Sequence, residues 1–228
     1  MESITGQING ILGVNDIFKA PARMMEVLSD RAVREAVFVQ MIELFRGRLH
    51  IDYFHEYFQD EAAERKKRSQ DFTPMSVAGI LAELTESSGD RTYYEPGGAG
   101  TGGLCIAKWD ADRKKYPPFP IKPGDAQYLP SMHLYICEEL SDRAFPFLVF
   151  NMAIRGMNGA AIHCDSLSRD CYGVFFLQND TDNQDGFSSV NVMPYTKSVA
   201  DFFKVNFVEE KYAPRIESRL PRFLSEAR

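Results

Sequence analysis

Only four cysteines, four histidines and one tryptophan occur in the 228 residues, and positive charge is not in excess. Cys105, Cys137, Cys164 and Cys171 form neither a CxxC pair nor a cysteine–histidine cluster. Their spacing argues for reduced core thiols and against a zinc site or disulfide framework. No stretch approaches the ~18 consecutive apolar residues of a membrane-spanning helix, and the opening MESITGQING lacks a basic segment followed by an apolar one, so a cytoplasmic protein is expected. A formal net charge of −6 denies the molecule the positive field of an autonomous nucleic-acid binder. There is no internal repeat and no low-complexity tract. With 44% apolar and 25% charged residues, the chain has ordinary globular composition with material for a full core, which excludes a disordered or collagenous chain.

Apolar residues at three- and four-residue spacing (Met24, Val27, Leu28, then Val37, Met41, Leu44, Phe45) predict a helix over 22–48. A second helix is expected from Asp52 to about Ser69, with Tyr53, Phe54, Tyr57 and Phe58 on one face and the basic run Arg65–Arg68 at its end, where the helix dipole favours cations. Thr73-Pro74 reads as an N-cap followed by proline at the first helical position. Arg91–Glu95 reads as a short strand, and residues 110–130, with five of the twelve prolines, as a long loop. Further strands are expected at Met132–Cys137, Ala160–Cys164, Tyr172–Leu177 and Ser189–Val192, with a helix capped by Ser141 and stopped at Gly156. His133 and His163 fall within strand patterns and are expected in the core.

The chemistry gathers around one loop. Arg91–Glu95 runs into Pro96-Gly97-Gly98-Ala99-Gly100-Thr101-Gly102-Gly103, and a helix follows. Strand, glycine loop and helix in this order open an α/β nucleotide-binding unit. Glu95, Glu139 and Asp165 each follow one of three successive strands, and in a parallel sheet the carboxyl ends of such strands share one edge. Gly98-x-Gly100-x-x-Gly103 fits the dinucleotide fingerprint in form, but the next strand-ending acid, Glu139, lies well beyond the expected ~20 residues. A phosphate-binding P-loop needs Gly-Lys-Ser/Thr, which Gly102-Gly103-Leu104 does not supply. A site for S-adenosylmethionine, with one acid before the glycines and another ending the second strand, accommodates the pattern.

Several strings together resemble the N6-adenine DNA methyltransferases, in particular the modification subunits of type I restriction systems and their mobile-element relatives. Asp71-Phe72-Thr73-Pro74-x-x-Val77-Ala78 is similar to that family's Tyr/Phe-Thr-Pro cofactor motif. Tyr94-Glu95-Pro96, Gly100-Thr101-Gly102-Gly103 and Leu104-x-Ile106-Ala107 resemble its glycine motif. Glu139 with Asn151, and Cys164-Asp165-Ser166-Leu167, resemble the segments after its second and third strands. The resemblance spans roughly residues 50–170 in the family's order. It implies that Thr73 and Glu95 hold the methionine end of S-adenosylmethionine, that Gly98, Gly100 and Gly102 pack along it, that Glu139 takes the ribose hydroxyls and that Asp165 takes the adenine amine. No metal is implied.

Two departures matter. The glycine loop is one residue longer than the family's. The catalytic Asn/Asp/Ser-Pro-Pro-aromatic string is missing after the fourth strand, where Gln178-Asn179-Asp180-Thr181 stands instead and Val192-Met193-Pro194-Tyr195 is the nearest echo. Asn179, Asp180 and Tyr195 are therefore the only candidates for its role. The expected architecture is an N-terminal helical segment (1–70) and a Rossmann-like α/β class I methyltransferase domain (71–228) whose sheet stops short of seven strands. Two functions follow: a restriction-modification or mobile-element adenine methyltransferase, or a non-catalytic relative serving as a partner or regulatory subunit. The expected partners are DNA, bound weakly by the chain alone, and a specificity subunit, another partner subunit or a second copy.

Overall fold

The computed structural model describes residues 3–58, 91–116 and 127–225. Thr73-Pro74, the run Arg65–Arg68, most of the helix expected to end near Ser69, the boundary at 70/71 and residues 117–126 of the proline loop lie outside the described residues.

Three helices come first: α1 (Ile4–Leu12), α2 (Ala20–Ser29) and α3 (Arg31–Leu44). The single helix expected over 22–48 is thus two. Asp30 is extended (φ −118°, ψ 120°), and its carboxylate accepts from Val33 N at 3.0 Å, so it ends α2 and caps α3. An aspartate that offers the backbone a cap outcompetes the continuous apolar periodicity around it.

Next come β1 (Thr92–Glu95), α4 (Gly103–Lys115), β2 (Leu134–Glu139), α5 (Phe145–Ile154) and β3 (Gly159–Cys164). Helix α4 absorbs residues 110–115, which the proline count had assigned to a loop. Ser141 turns the chain into α5 by accepting from Arg143 N and Ala144 N, Pro146 sits in the first turn, and Gly156 (φ 63°) follows the end. β1 and β2 are parallel with Glu95 opposite Cys137, and β2 and β3 are parallel with Glu139 opposite His163. These three strands and two crossover helices form a Rossmann-like α/β unit.

The sheet then changes character. β4 (Asp170–Gln178) turns back antiparallel on β3, and β5 (Ser189–Val192) turns back antiparallel on β4. After α6 (Lys197–Phe203), the short β6 (Asn206–Phe207) adds to the start of β4, and α7 (Arg222–Ser225) follows. The six-stranded sheet runs β1-β2-β3-β4-β5, and among the described residues β1 pairs with β2 alone.

All ten residues of α5 are buried, nine apolar and the tenth Asn151, with the sheet on one side and α2 on the other. Phe38 of α3 and Phe54 meet Phe150 of α5 at ring-centroid distances of 4.8 and 5.3 Å, so the N-terminal helices share one core with the sheet. The opposite face of β3 and β4 packs against α6, Leu220 and Leu224. Tyr53, Phe54, Tyr57, Phe58, His133 and His163 are buried, and all four cysteines are buried free thiols.

The C-terminal segment is clasped to the first layer through Arg34. This guanidinium is fully buried, donates to Glu217 at 2.6 and 3.2 Å, and also donates to Leu28 O. Glu217 in turn accepts from Val190 N of β5, and its own N–H donates to Asn191. Truncating one partner of such a pair strands a buried charge, at a cost of ~3–5 kcal/mol. Glu217→Ala should lower the unfolding free energy by about that amount in urea denaturation, whereas Lys197→Ala, at an exposed pair, should change it by less than ~1 kcal/mol.

Candidate functional site

The carboxyl ends of β1, β2 and β3 converge on the loop between β1 and α4. Side chains alternate across each strand, so Tyr93 and Glu95 share the helix-covered face with Tyr135, Cys137 and Glu139, while Tyr94 and Glu138 face the other side. On that other side the fully buried Glu138 accepts from Tyr94 Oη at 2.6 Å and from Arg169 at 2.7 Å. The Arg169 guanidinium and Tyr94 hydroxyl outweigh desolvation and hold its carboxyl below the usual range.

The loop is tied down at several points. Gly97 N donates to Glu95 O, Ala99 N to Glu138 O at 3.2 Å, and Gly100 N to Glu139 Oε2 at 2.6 Å. The other oxygen of Glu139 accepts from Ser141 N at 2.7 Å. Gly97 (φ 82°) lies against the turn after β3 so closely that an added Cβ would sit 2.5 Å from Ser166 Oγ. Gly98 faces open space. Asp165 closes the turn after β3, with Oδ1 accepting from Leu167 N at 2.8 Å and Ser168 N at 3.3 Å.

Behind the loop is a buried polar network of which the sequence marked only Asn151. Asp52 accepts from Thr101 Oγ1 in the loop, from Asn151 Nδ2 of α5 at 2.8 Å and from Phe54 N at 3.0 Å. Asn151 Nδ2 also donates to Thr101 O, and its Oδ1 accepts from Arg155, which donates further to Leu49 O and Ile51 O. Burial raises the Asp52 carboxyl above its usual range and lowers Arg155 to about 10, which leaves the guanidinium charged at neutral pH. The available signal was an asparagine and a following arginine at the end of a largely apolar helix, and an aspartate opening an aromatic run.

Glu95 is buried, and desolvation is the main reason that its carboxyl is pushed up to about 7; Glu139 nearby adds repulsion, while Tyr93 Oη at 3.1 Å works against the shift. Burial also raises Glu139, against the pull of the Ser141 and Gly100 N–H groups. Among the described residues no cluster of three or more His, Cys, Asp or Glu is placed to hold a metal ion.

The structure brings Glu95, Gly98, Gly100, Gly102, Glu139 and Asp165 to one edge of the sheet. Asn179 and Asp180 are not there. Because β4 is antiparallel, with Leu177 opposite Gly159, both follow its end at the amino edge of the parallel strands. They are about one six-residue strand, ~20 Å, from the glycine loop. Asn179 staples its own turn by donating to Asn183 O at 2.7 Å and Gly156 O at 3.3 Å. Tyr195 Oη donates to Tyr172 O at 2.9 Å and accepts from Tyr212 N at 2.8 Å, beside β4.

A family model described as N-6 DNA methylase matches residues 50–192, more than half of the chain. The chain belongs to this family. No curated protein and no solved structure matches it. The Rossmann-like α/β fold is the family's, and no helix among the described residues is long and apolar enough to cross a membrane.

Methyl transfer in the N-6 DNA methylase family draws on S-adenosylmethionine, so the edge can be tested for its fit. Each oxygen of Glu139 accepts one N–H and keeps a further lone pair, but the carboxylate is only 6% exposed, so as the loop lies a ribose diol has no path to it. The closed loop does not fit the nucleoside.

Glu95 binds its proton more tightly when folded than when unfolded, so its contribution to stability is full in acid and declines as pH rises from about 4.5 to about 7. Over that window the native chain should lose up to ~3 kcal/mol relative to Glu95→Gln. Denaturant titrations of both proteins from pH 4 to pH 8 check this; parallel curves would show that Glu95 titrates normally.

Proposed function

We propose that this member of the N-6 DNA methylase family is a partner or regulatory subunit of an adenine-methylation system, of restriction-modification or mobile-element type, and transfers no methyl by itself. One observation carries the reading: β4 folds back antiparallel on β3, so among the described residues no strand returns beside β1 to set polar groups over the glycine loop.

The chemistry explains why that matters. The adenine N6 lone pair is delocalised into the ring, so transfer needs acceptors aimed at the amine as positive charge develops in the transition state. The resemblance assigns this work to the Asn/Asp/Ser-Pro-Pro-aromatic string, whose aromatic also stacks the extruded base. Asn179 spends its amide on Asn183 O and Gly156 O at the far edge, and Tyr195 bonds to Tyr172 and Tyr212, so neither stands in for it. Losing such oriented groups costs at least ~10²–10³ in rate.

The ligand proposed for the cleft is S-adenosylmethionine or its demethylated product. Glu95 would face the cationic methionine end and Asp165 the adenine amine, and Glu139 would take the ribose once the loop has lifted. DNA is the proposed macromolecular partner, held weakly by the isolated chain. The net charge is −6, and the basic end of α4 is largely spoken for, with Arg113 3.6 Å from Asp185 and Lys114 2.6 Å from Asp110.

Incubation with mixed-sequence duplex DNA and S-adenosylmethionine carrying a labelled methyl group should leave the DNA unlabelled. Robust turnover that vanishes in Asn179→Ala or Asp180→Ala would overturn the reading and put catalysis at the amino edge of the sheet.

A further inference from the structure

We propose that the glycine loop of this chain is latched shut across its own crevice, with Glu139 as the catch and the close approach of Gly97 to Ser166 as the second point of closure. Two independent contacts carry the proposal. The first is the Gly100 N–H to Glu139 bond, 2.6 Å long and made to an ionisable acceptor shielded from water. The second is the Gly97 backbone, which lies so near Ser166 that any side chain there would collide with the hydroxyl. The loop thus leaves β1, rests on the carboxyl end of β2 and touches the turn after β3, covering the edge along which a nucleoside would lie.

Glu139 then has two exclusive states. In one it holds Gly100; in the other the loop has lifted and the carboxylate is free for a vicinal diol. A ligand's hydroxyls would replace the N–H, so the acid keeps its hydrogen bonds throughout and the loop alone moves. Apparent affinity falls by the fraction of molecules in which the loop is open. The identity of the ligand rests on the cofactor reading above; the latch itself does not.

The test separates the two by using Gly97→Ala in the full chain. The φ of 82° and the contact with Ser166 make alanine incompatible with the closed loop, while Glu139 stays available to a ligand. Amide exchange by NMR should find Gly100 protected in the native chain and exchanging at least about tenfold faster in Gly97→Ala, because local opening sets the rate. Glu139→Gln, which keeps the shape but weakens the acceptor, should move the rate in the same direction and serves if the alanine variant folds poorly. In calorimetric titration, S-adenosylhomocysteine should bind Gly97→Ala at least about tenfold more tightly than the native chain. An unprotected Gly100 amide in the native chain, an unchanged rate in both variants, or measurable binding of equal affinity to the native chain and Gly97→Ala would refute the latch. Faster exchange without heat from either protein at millimolar nucleoside would uphold the latch and refute the cofactor reading.

Discussion

Asp52 stands where three separate stretches of chain meet. Its carboxylate holds Thr101 of the glycine loop and Asn151 of α5, while Arg155, bonded to Asn151, gathers the carbonyls of Leu49 and Ile51. A buried aspartate and a buried guanidinium are each costly alone; bridged by Asn151 and ringed by backbone groups, they satisfy one another. The constraint is directional as well as energetic. A loop with four glycines at positive φ has many conformations open to it, and the grip on Thr101 fixes the end from which α4 must start.

From that anchor the rest follows in layers. The buried α5 and its C-cap supply Asn151 and Arg155, and the helix fills the space between sheet and α2 and carries the chain from β2 to β3. Its first turn lies beside Ser141, whose N–H orients Glu139. Its last turn lies beside Gly156, where Asn179 and Gly186 close over the backbone. The two ends of one helix therefore organise the two edges of the sheet: the carboxyl edge with the glycine loop and acids, and the amino edge with the 179–186 turn.

The antiparallel return of β4 separates this chain's geometry from a sheet that could bring a catalytic strand beside β1. The turn responsible is Asp165–Arg169, in which Asp165 caps Leu167 and Ser168 and Arg169 adopts φ 67°. Arg169 is held there by its ion pair to Glu138 and by the carbonyls of Phe203 and Lys204, so the reversal is fastened to both β2 and α6. The resemblance that groups Asp165 with the cofactor residues thus falls on a residue that also turns β4 back antiparallel on β3.

The parts of this molecule legible in its residues were those set by local chemistry. The β1–loop–α4 unit, the capped and proline-started α5, the four core thiols and the acids after three strands all follow from period, cap and glycine, which act within a few residues. The split at Asp30 was equally local and was hidden only because the apolar period runs on across it. Other features needed the fold. The apolar run Val174–Leu177 reads the same for a parallel and an antiparallel strand, so the direction of β4, and with it the placement of Asn179 and Asp180, was decided by the Asp165–Arg169 turn and its long-range anchors. Asp52 and Arg155 are 103 positions apart in sequence, and no local rule pairs them. Glu139 was marked by its place after a strand, but its hold on Gly100 depends on how far a glycine-rich loop folds over, and glycine leaves that choice to tertiary contacts.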